Sequence, residues 1–263
     1  MQQRTMSLVM IAALSGCGGG TTGRLVELRT TLTTDLGADH RFTTSLGWTL
    51  TLTEAAISTG PMYYFDGEPA FTSVRPGILE QLIEALRPIH VAYAHPGHYV
   101  AGNAKGEQLM PYSADLLAGP TELPVGDGVS GSFRSATFSF AAPSAGPVKD
   151  LLEDQVVRVA GIATKDGRRV HFLATAALAD LEKTAKEGQI SGCSFAAREV
   201  LHDGTVTITL HPRVWFNLVD FRELEEGTAE RPTAFGPEST ARIAFALGLT
   251  QLSAYTFAFE ELR

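Results

Sequence analysis

Along most of the chain, apolar residues alternate with polar ones in short segments bounded by Gly, Pro, Asn and Asp. A period of two predicts strands. Leu25 to Leu32 alternates ahead of a polar turn, and Trp48-Thr49-Leu50-Thr51-Leu52-Thr53 alternates again with threonine on one face. Ala56-Ile57 and Met62-Tyr63-Tyr64-Phe65 continue the run, with Gly60-Pro61 as a bend between them, and Phe133 to Phe140 is a further strand. Two hairpins are expected later in the chain. Gln155 to Ile162 and Arg168 to Thr175 flank Lys165-Asp166-Gly167, while Phe195 to Leu201 and Thr205 to Leu210 flank His202-Asp203-Gly204. Asp-Gly supplies the positive φ angles that tight hairpins demand. Val206, Ile208 and Leu210 share a face opposite Thr205, Thr207 and Thr209, so that face is core; Ala254 to Phe259 is a final strand of the same kind.

The period lengthens in three places. Pro76 to Leu86 carries Ile78, Leu79, Leu82, Ile83 and Leu86 at helical spacing after a proline suited to a first turn, and Pro88 stops it. Pro237 to Leu247 repeats the device, with Gly248 placed to cap the C-terminus, and Ala176 to Glu187 is a third, weaker helix. The chain shows no repeat of fixed period and no linker that would divide it. The pattern therefore predicts a mainly β fold over residues 25–263: an antiparallel β-sandwich-like single domain with two or three short helices.

Composition changes this picture little. The 263 residues are 44% hydrophobic and 19% charged, which is ordinary globular usage and argues against disorder. The formal net charge of −8 comes without any basic run, which argues against a nucleic-acid partner and against electrostatic attachment to a membrane surface.

The first seventeen residues add an address. Arg4 lies in a short polar start, Ser7 to Leu14 is a brief apolar run, and small residues lead into Cys17. This is the layout of a secretory signal, too short to be a membrane-spanning helix, which needs about 20 apolar residues. Leu14-Ser15-Gly16-Cys17 resembles the lipobox of bacterial lipoproteins. The resemblance implies that residues 1–16 are a signal peptide removed before Cys17, that Cys17 carries diacylglyceryl and N-acyl lipid (palmitate being one such chain), and that the mature chain is tethered to a membrane of the cell envelope. Because Gly18 is not aspartate, it also implies an outer-membrane destination, facing the periplasm or the cell surface. Residues 17–24, with Gly18-Gly19-Gly20-Thr21-Thr22, then form a flexible leash. Removal of Arg4 with the signal takes the formal charge from −8 to −9. Lipidation of Cys17 leaves Cys193 alone, expected as a small buried hydrophobe.

Chemistry concentrates in one stretch. His90, His95 and His98 are three of seven histidines within nine positions, and His95 and His98 are separated only by Pro96-Gly97, a pair that turns the chain. Such a turn directs both imidazoles toward one ion; Glu107, beyond a glycine-rich loop, is a candidate third donor, and Asp115 a more distant one. Imidazole with carboxylate suits Cu²⁺ or Zn²⁺. His211 and Asp220 bracket the apolar cluster Trp215, Phe216, Leu218 and Phe221 and are secondary candidates, on the condition that they lie near the histidine loop. His40, His171 and His202 read as surface residues of connections and strands.

Elbow, phosphate-loop, paired-carboxylate and Cys-x-x-Cys signatures of catalysis are lacking. The strand ending in Ala56-Ile57-Ser58, the aromatic Tyr63-Tyr64-Phe65 and the histidine-bearing loop after them resemble part of the periplasmic copper-binding proteins associated with methanobactin uptake, with different spacing and no residue carried over. What the resemblance implies is a preference for copper. The expectation is thus an envelope lipoprotein whose His95-Pro96-Gly97-His98 loop binds copper or zinc for capture, storage or delivery. The alternatives are a metal-free module binding an envelope protein or glycan, and an envelope hydrolase, which would require a pocket with a base and a nucleophile.

Overall fold

The computed structural model describes residues 23–69, 101–182 and 185–262. In chain order its strands are β1 (Leu25–Thr34), β2 (Arg41–Thr43), β3 (Thr49–Thr59), β4 (Met62–Phe65), β5 (Ala104–Gln108), β6 (Tyr112–Asp115) and β7 (Thr121–Val129). They continue with β8 (Gly131–Ser139), β9 (Gln155–Lys165), β10 (Arg168–Ala177), β11 (Gln189–Val200), β12 (Gly204–Leu210), β13 (Thr233–Ala234) and β14 (Tyr255–Glu261). Among the described residues the α-helices are α1 (Lys149–Leu152), α2 (Leu178–Leu181), α3 (Pro212–Phe216) and α4 (Thr240–Leu249). The fold is mainly β, as the alternation indicates.

The expected sandwich is corrected in its larger part. Eight strands close on themselves in the order β1-β12-β14-β11-β8-β4-β5-β7. Closure follows because β1 takes β12 in parallel on one side and β7 antiparallel on the other, so neither edge is left for a second sheet to cover. The interior is filled by Leu28, Tyr64, Phe133, Phe195 and Phe257, with Tyr64 within 6.1 Å, ring centre to ring centre, of each of the three phenylalanines. Eight-stranded barrels are just wide enough for such a filling. Gly106 and Gly128, paired across β5 and β7, make room for Leu28: a Cβ on either would lie 2.6 or 2.8 Å from its Cδ1. The remaining sheet runs β13-β10-β9-β3-β2, with β6 on β3, and packs Phe172 against Phe216, Phe221 and Phe235 at 5.4, 5.1 and 6.0 Å. Strand β3 passes through Gly60-Pro61 directly into β4, and Gly60 donates its N–H to Ser139 of the barrel. Buried side chains of the two parts form one continuous core.

Two junctions of the barrel circuit are brief. β11 meets β14 in parallel at Ser194–Thr256 and Phe195–Phe257, and β5 meets β7 at Gly106–Gly128 and Glu107–Asp127.

The first expected hairpin forms, with β9 and β10 paired around Asp166 (φ 50°) and Gly167 (φ 82°). The second does not. β14 inserts between β11 and β12, pairing with β12 from Gly204–Glu261 to Leu210–Tyr255. Phe257 and Phe259 gain burial in the barrel by that insertion, which a two-residue turn could not offer. Gly204 is then required for close approach rather than for a turn, since a Cβ there would overlap the Phe259 ring and the Glu260 carbonyl. Asp203 instead ties strand ends together: its carboxylate accepts from the Glu27 N–H at 2.9 Å and its carbonyl from Leu262 N–H at 3.1 Å.

The helices also shift. The stretch from Ala176 is largely the end of β10, the four-residue α2 and a 3₁₀ turn at Lys186–Gly188 rather than one helix. α4 begins at Thr240, where the Ser239 hydroxyl accepts from Arg242 N–H at 3.1 Å, so Pro237 and Glu238 precede the cap. Gly248 lies inside α4 instead of capping it, because a side chain there would strike the Trp215 carbonyl of α3. The expected Pro76–Leu86 helix lies outside the described residues.

Candidate functional site

His90, His95 and His98, and Cys17, lie outside the described residues. The points where the chain leaves and re-enters the described fold are tied together. Gly67 N–H donates to Ala101 O at 3.0 Å, Asn103 N–H to the Asp66 carboxylate at 2.7 Å, and Lys105 Nζ stands 3.6 Å from the same carboxylate. Gly102, at φ 76°, has no room for a side chain because Asp66 occupies that space. Burial pushes the Asp66 carboxyl up, but the Asn103 hydrogen bonds and the Lys105 ammonium pull harder the other way and hold it below the ordinary carboxylate range. This clamp sits at one mouth of the barrel. The start of β1 is at the same mouth: Arg24 N–H donates to Ser130 Oγ at 2.8 Å, Arg24 contacts His202 at 3.1 Å, and Leu25 pairs with Val129.

Glu107 is on β5, facing outward, in register with Tyr63 on one side and Asp127 on the other. Asp127 in turn faces Glu27 on β1, which is bonded to Asp203. Three carboxylates therefore stand side by side across three strands, and Arg29, 3.5 Å from Glu27, is the one cation recorded in an ion pair with any of them among the described residues. No group of three or more His, Cys, Asp or Glu among the described residues is arranged to hold a metal ion. Like charges directly opposite in a sheet are destabilising by a few tenths of a kcal/mol to about 1. Asp127→Asn is accordingly expected to stabilise the fold by about 0.5 kcal/mol, with the gain shrinking as salt is added; chemical denaturation at two salt concentrations checks it, and an unchanged or lower midpoint at low salt would count against the repulsion.

His211 is held at the opposite mouth. It precedes Pro212, the first residue of α3, which keeps its backbone out of the helical region (φ −115°, ψ 80°), and its N–H donates to Ala254 O at 3.0 Å. This sets the imidazole between two elements. Nδ1 is 2.9 Å from Asp35 Oδ2, just past the end of β1, and Nε2 is 3.0 Å from Thr256 Oγ1 on β14. An ionised carboxylate only accepts, so the neutral ring carries its proton on Nδ1 and offers Nε2 to the threonine hydroxyl. Thr256 lines a half-open groove of about 620 Å³ at the short β11–β14 junction, with Ser194, Thr250, Gln251, Leu252 and Ser253 around it.

The other residues named from sequence are engaged structurally. Asp220 accepts from Trp48 Nε1 at 3.3 Å and from the backbone and guanidinium of Arg222 at 3.1 and 2.8 Å, and the Arg222 side chain holds its carboxyl below the usual range. It caps a 3₁₀ turn and none of its recorded bonds is to His211. Asp115 Oδ1 accepts from Leu117 N–H at 2.9 Å. Cys193 is buried, donates to Ile190 O at 3.2 Å, and burial pushes its thiol up to about 12, which makes it a poor thiolate. His211 was visible in the sequence as a candidate, but Asp35 and Thr256 were not: they lie 176 and 45 positions away from it and share no spacing with it. The chain matches no known family model, no curated protein and no solved structure, so its functional reading rests on its own residues.

Proposed function

We propose that the protein is an extracytoplasmic lipoprotein, tethered through lipid on Cys17, that binds copper or zinc through His95 and His98, with Glu107 as third donor, for capture, storage or delivery of the ion at the outer membrane. The sequence supports the tether through Leu14-Ser15-Gly16-Cys17 and the glycine leash, and the ion through the His95-Pro96-Gly97-His98 turn. The observation that carries the reading is positional. Arg24, where the leash meets the fold, and the Asp66–Asn103 clamp, where the chain between 70 and 100 is tied, share one mouth of a barrel whose interior is filled with side chains. A packed barrel has no central ligand chamber, so binding falls to what its strands carry at the ends and on the outer surface.

Elemental analysis of the mature protein purified without chelator, beside a His95→Ala/His98→Ala variant, tests it. Copper or zinc near one ion per chain is expected in the parent and its loss in the variant; equal metal content in the two would overturn the site.

A further inference from the structure

We propose that Asp35, His211 and Thr256 form a hydrolytic site in the groove at the β11–β14 junction, with Thr256 as nucleophile toward short-chain carboxylic esters of hydroxylated alcohols.

The arrangement has the parts such a reaction needs, each from a different element. Thr256 Oγ1 lies 3.0 Å from His211 Nε2, within reach for a general base to take its proton, and Asp35 Oδ2, 2.9 Å from Nδ1, fixes the ring and stabilises the imidazolium that forms. The three residues meet because Asp35 follows β1, His211 follows β12 and Thr256 lies in β14, and those strands are neighbours in the barrel. Thr256 lines the groove and stands part-exposed on the outward face of β14, between the buried Tyr255 and Phe257, so an ester carbonyl can approach it from outside the core. Ser194 pairs with Thr256 across the junction and contributes a hydroxyl donor beside the attacked carbonyl. Thr250 and Gln251, whose donors are engaged by the Leu247 carbonyl, offer acceptor oxygens, Ser253 a hydroxyl suited to the alcohol portion, and Leu252 an apolar wall suited to a short acyl chain. Gly192, at φ 87°, leaves the groove free of a side chain at that point.

The step balances with water as the only co-reactant. Thr256 Oγ1 bonds to the acyl carbon while His211 Nε2 takes the hydroxyl proton. The tetrahedral adduct then expels the alkoxide, which leaves with that proton as the alcohol. Water attacks the acyl-threonine, giving its proton to His211; the carboxylic acid departs as the proton returns to Thr256. The site needs no metal and lies at the mouth opposite the clamp, so it stands or falls independently of metal binding by His95 and His98.

Hydrolysis of p-nitrophenyl acetate and glucose pentaacetate by the full mature chain tests the inference, with mass spectrometry of the peptide carrying Thr256 after an acid quench. Turnover above buffer and an acetyl adduct on Thr256 are expected for the parent and for Thr256→Ser. Thr256→Val, which keeps shape and strand propensity but removes the hydroxyl, should fall to the buffer rate and show no adduct. His211→Gln should lose about 10²- to 10⁴-fold, and Asp35→Asn a smaller part of that. EDTA should leave the rate unchanged. Parent-like turnover by a folded Thr256→Val, loss of the rate on chelation, or a folded parent no faster than buffer on both esters would each overturn the assignment.

Discussion

Tyr64→Ala is expected to destabilise the protein by about 3–5 kcal/mol, as large-to-small changes at buried aromatics do. Tyr64 is fully buried at the centre of the barrel, its ring against Phe133, Phe195 and Phe257, themselves held in strands. For a chain of this size the loss corresponds to a fall in Tm of about 6–20 °C. Tyr64→Phe separates packing from polarity. It keeps the ring and removes a hydroxyl whose recorded partner is Thr30 Oγ1 at 3.3 Å, a cost of about 1 kcal/mol. Burial also pushes the phenol up to about 12, so the neutral group is favoured in the folded state. Its contribution is complete below pH 10 and disappears as pH rises through about 12, where the unfolded chain gains from ionising first. Thermal unfolding of both variants at neutral and alkaline pH checks this; a Tyr64→Ala midpoint within a degree or two of the parent would show that the barrel interior is not packed as described.

Gly126→Ala should cost about 3 kcal/mol, the upper end of ordinary overpacking, although it adds a single methyl group. The added Cβ would collide with the Glu107 carbonyl oxygen and come within 3.1 Å of that carbonyl carbon, and both are backbone atoms that cannot rotate away. Gly126 also adjoins the irregularity where β7 carries an extra residue against β1, between Leu28 and Thr30, so the strand there is already committed to one path. The clash falls next to the two residue pairs that join β5 to β7, and relief comes only by parting them. Denaturant unfolding gives the magnitude, and hydrogen exchange of the β5 amides gives the location. Protection lost at Gly106 and Glu107 ahead of the rest of the barrel is the expected pattern; uniform loss would place the strain elsewhere.

Which parts of this fold could be read from the chain depended on how far each signal reaches. Asp166-Gly167 acts over four residues, and the hairpin it predicts is present. His202-Asp203-Gly204 carries the same signal, yet its strands separate because β14, arriving some fifty residues later, buries two phenylalanines between them. The alternation in β1, β12 and β14 correctly marks inward and outward faces, with Val26, Leu28 and Leu32, Val206 and Ile208, and Phe257 and Phe259 all buried. Alternation is the same in a barrel and a sandwich, so it could not tell them apart; the parallel β1–β12 pairing decides, and nothing near Leu28 announces Gly204 as its partner. The site divides along the same line. His211 stood out because, with Asp220, it brackets the apolar cluster Trp215, Phe216, Leu218 and Phe221, whereas Asp35 lies in an ordinary polar connection and Thr256 is one threonine among many in alternating strands. Asp220, which looked chemical in the sequence, is a cap for Arg222 and Trp48.

The insertion of the last strand into the middle of the circuit governs how the protein can be made. β12 and β11 each present an unpaired edge until Tyr255–Glu261 arrives, and β1 waits for a partner 176 residues downstream. Contacts so distant along the chain make for slow folding, and edges left open meanwhile invite pairing with other chains. A nascent chain is therefore a set of incomplete sheets until Tyr255–Glu261 emerges, and removal of that one strand would leave the shell permanently open.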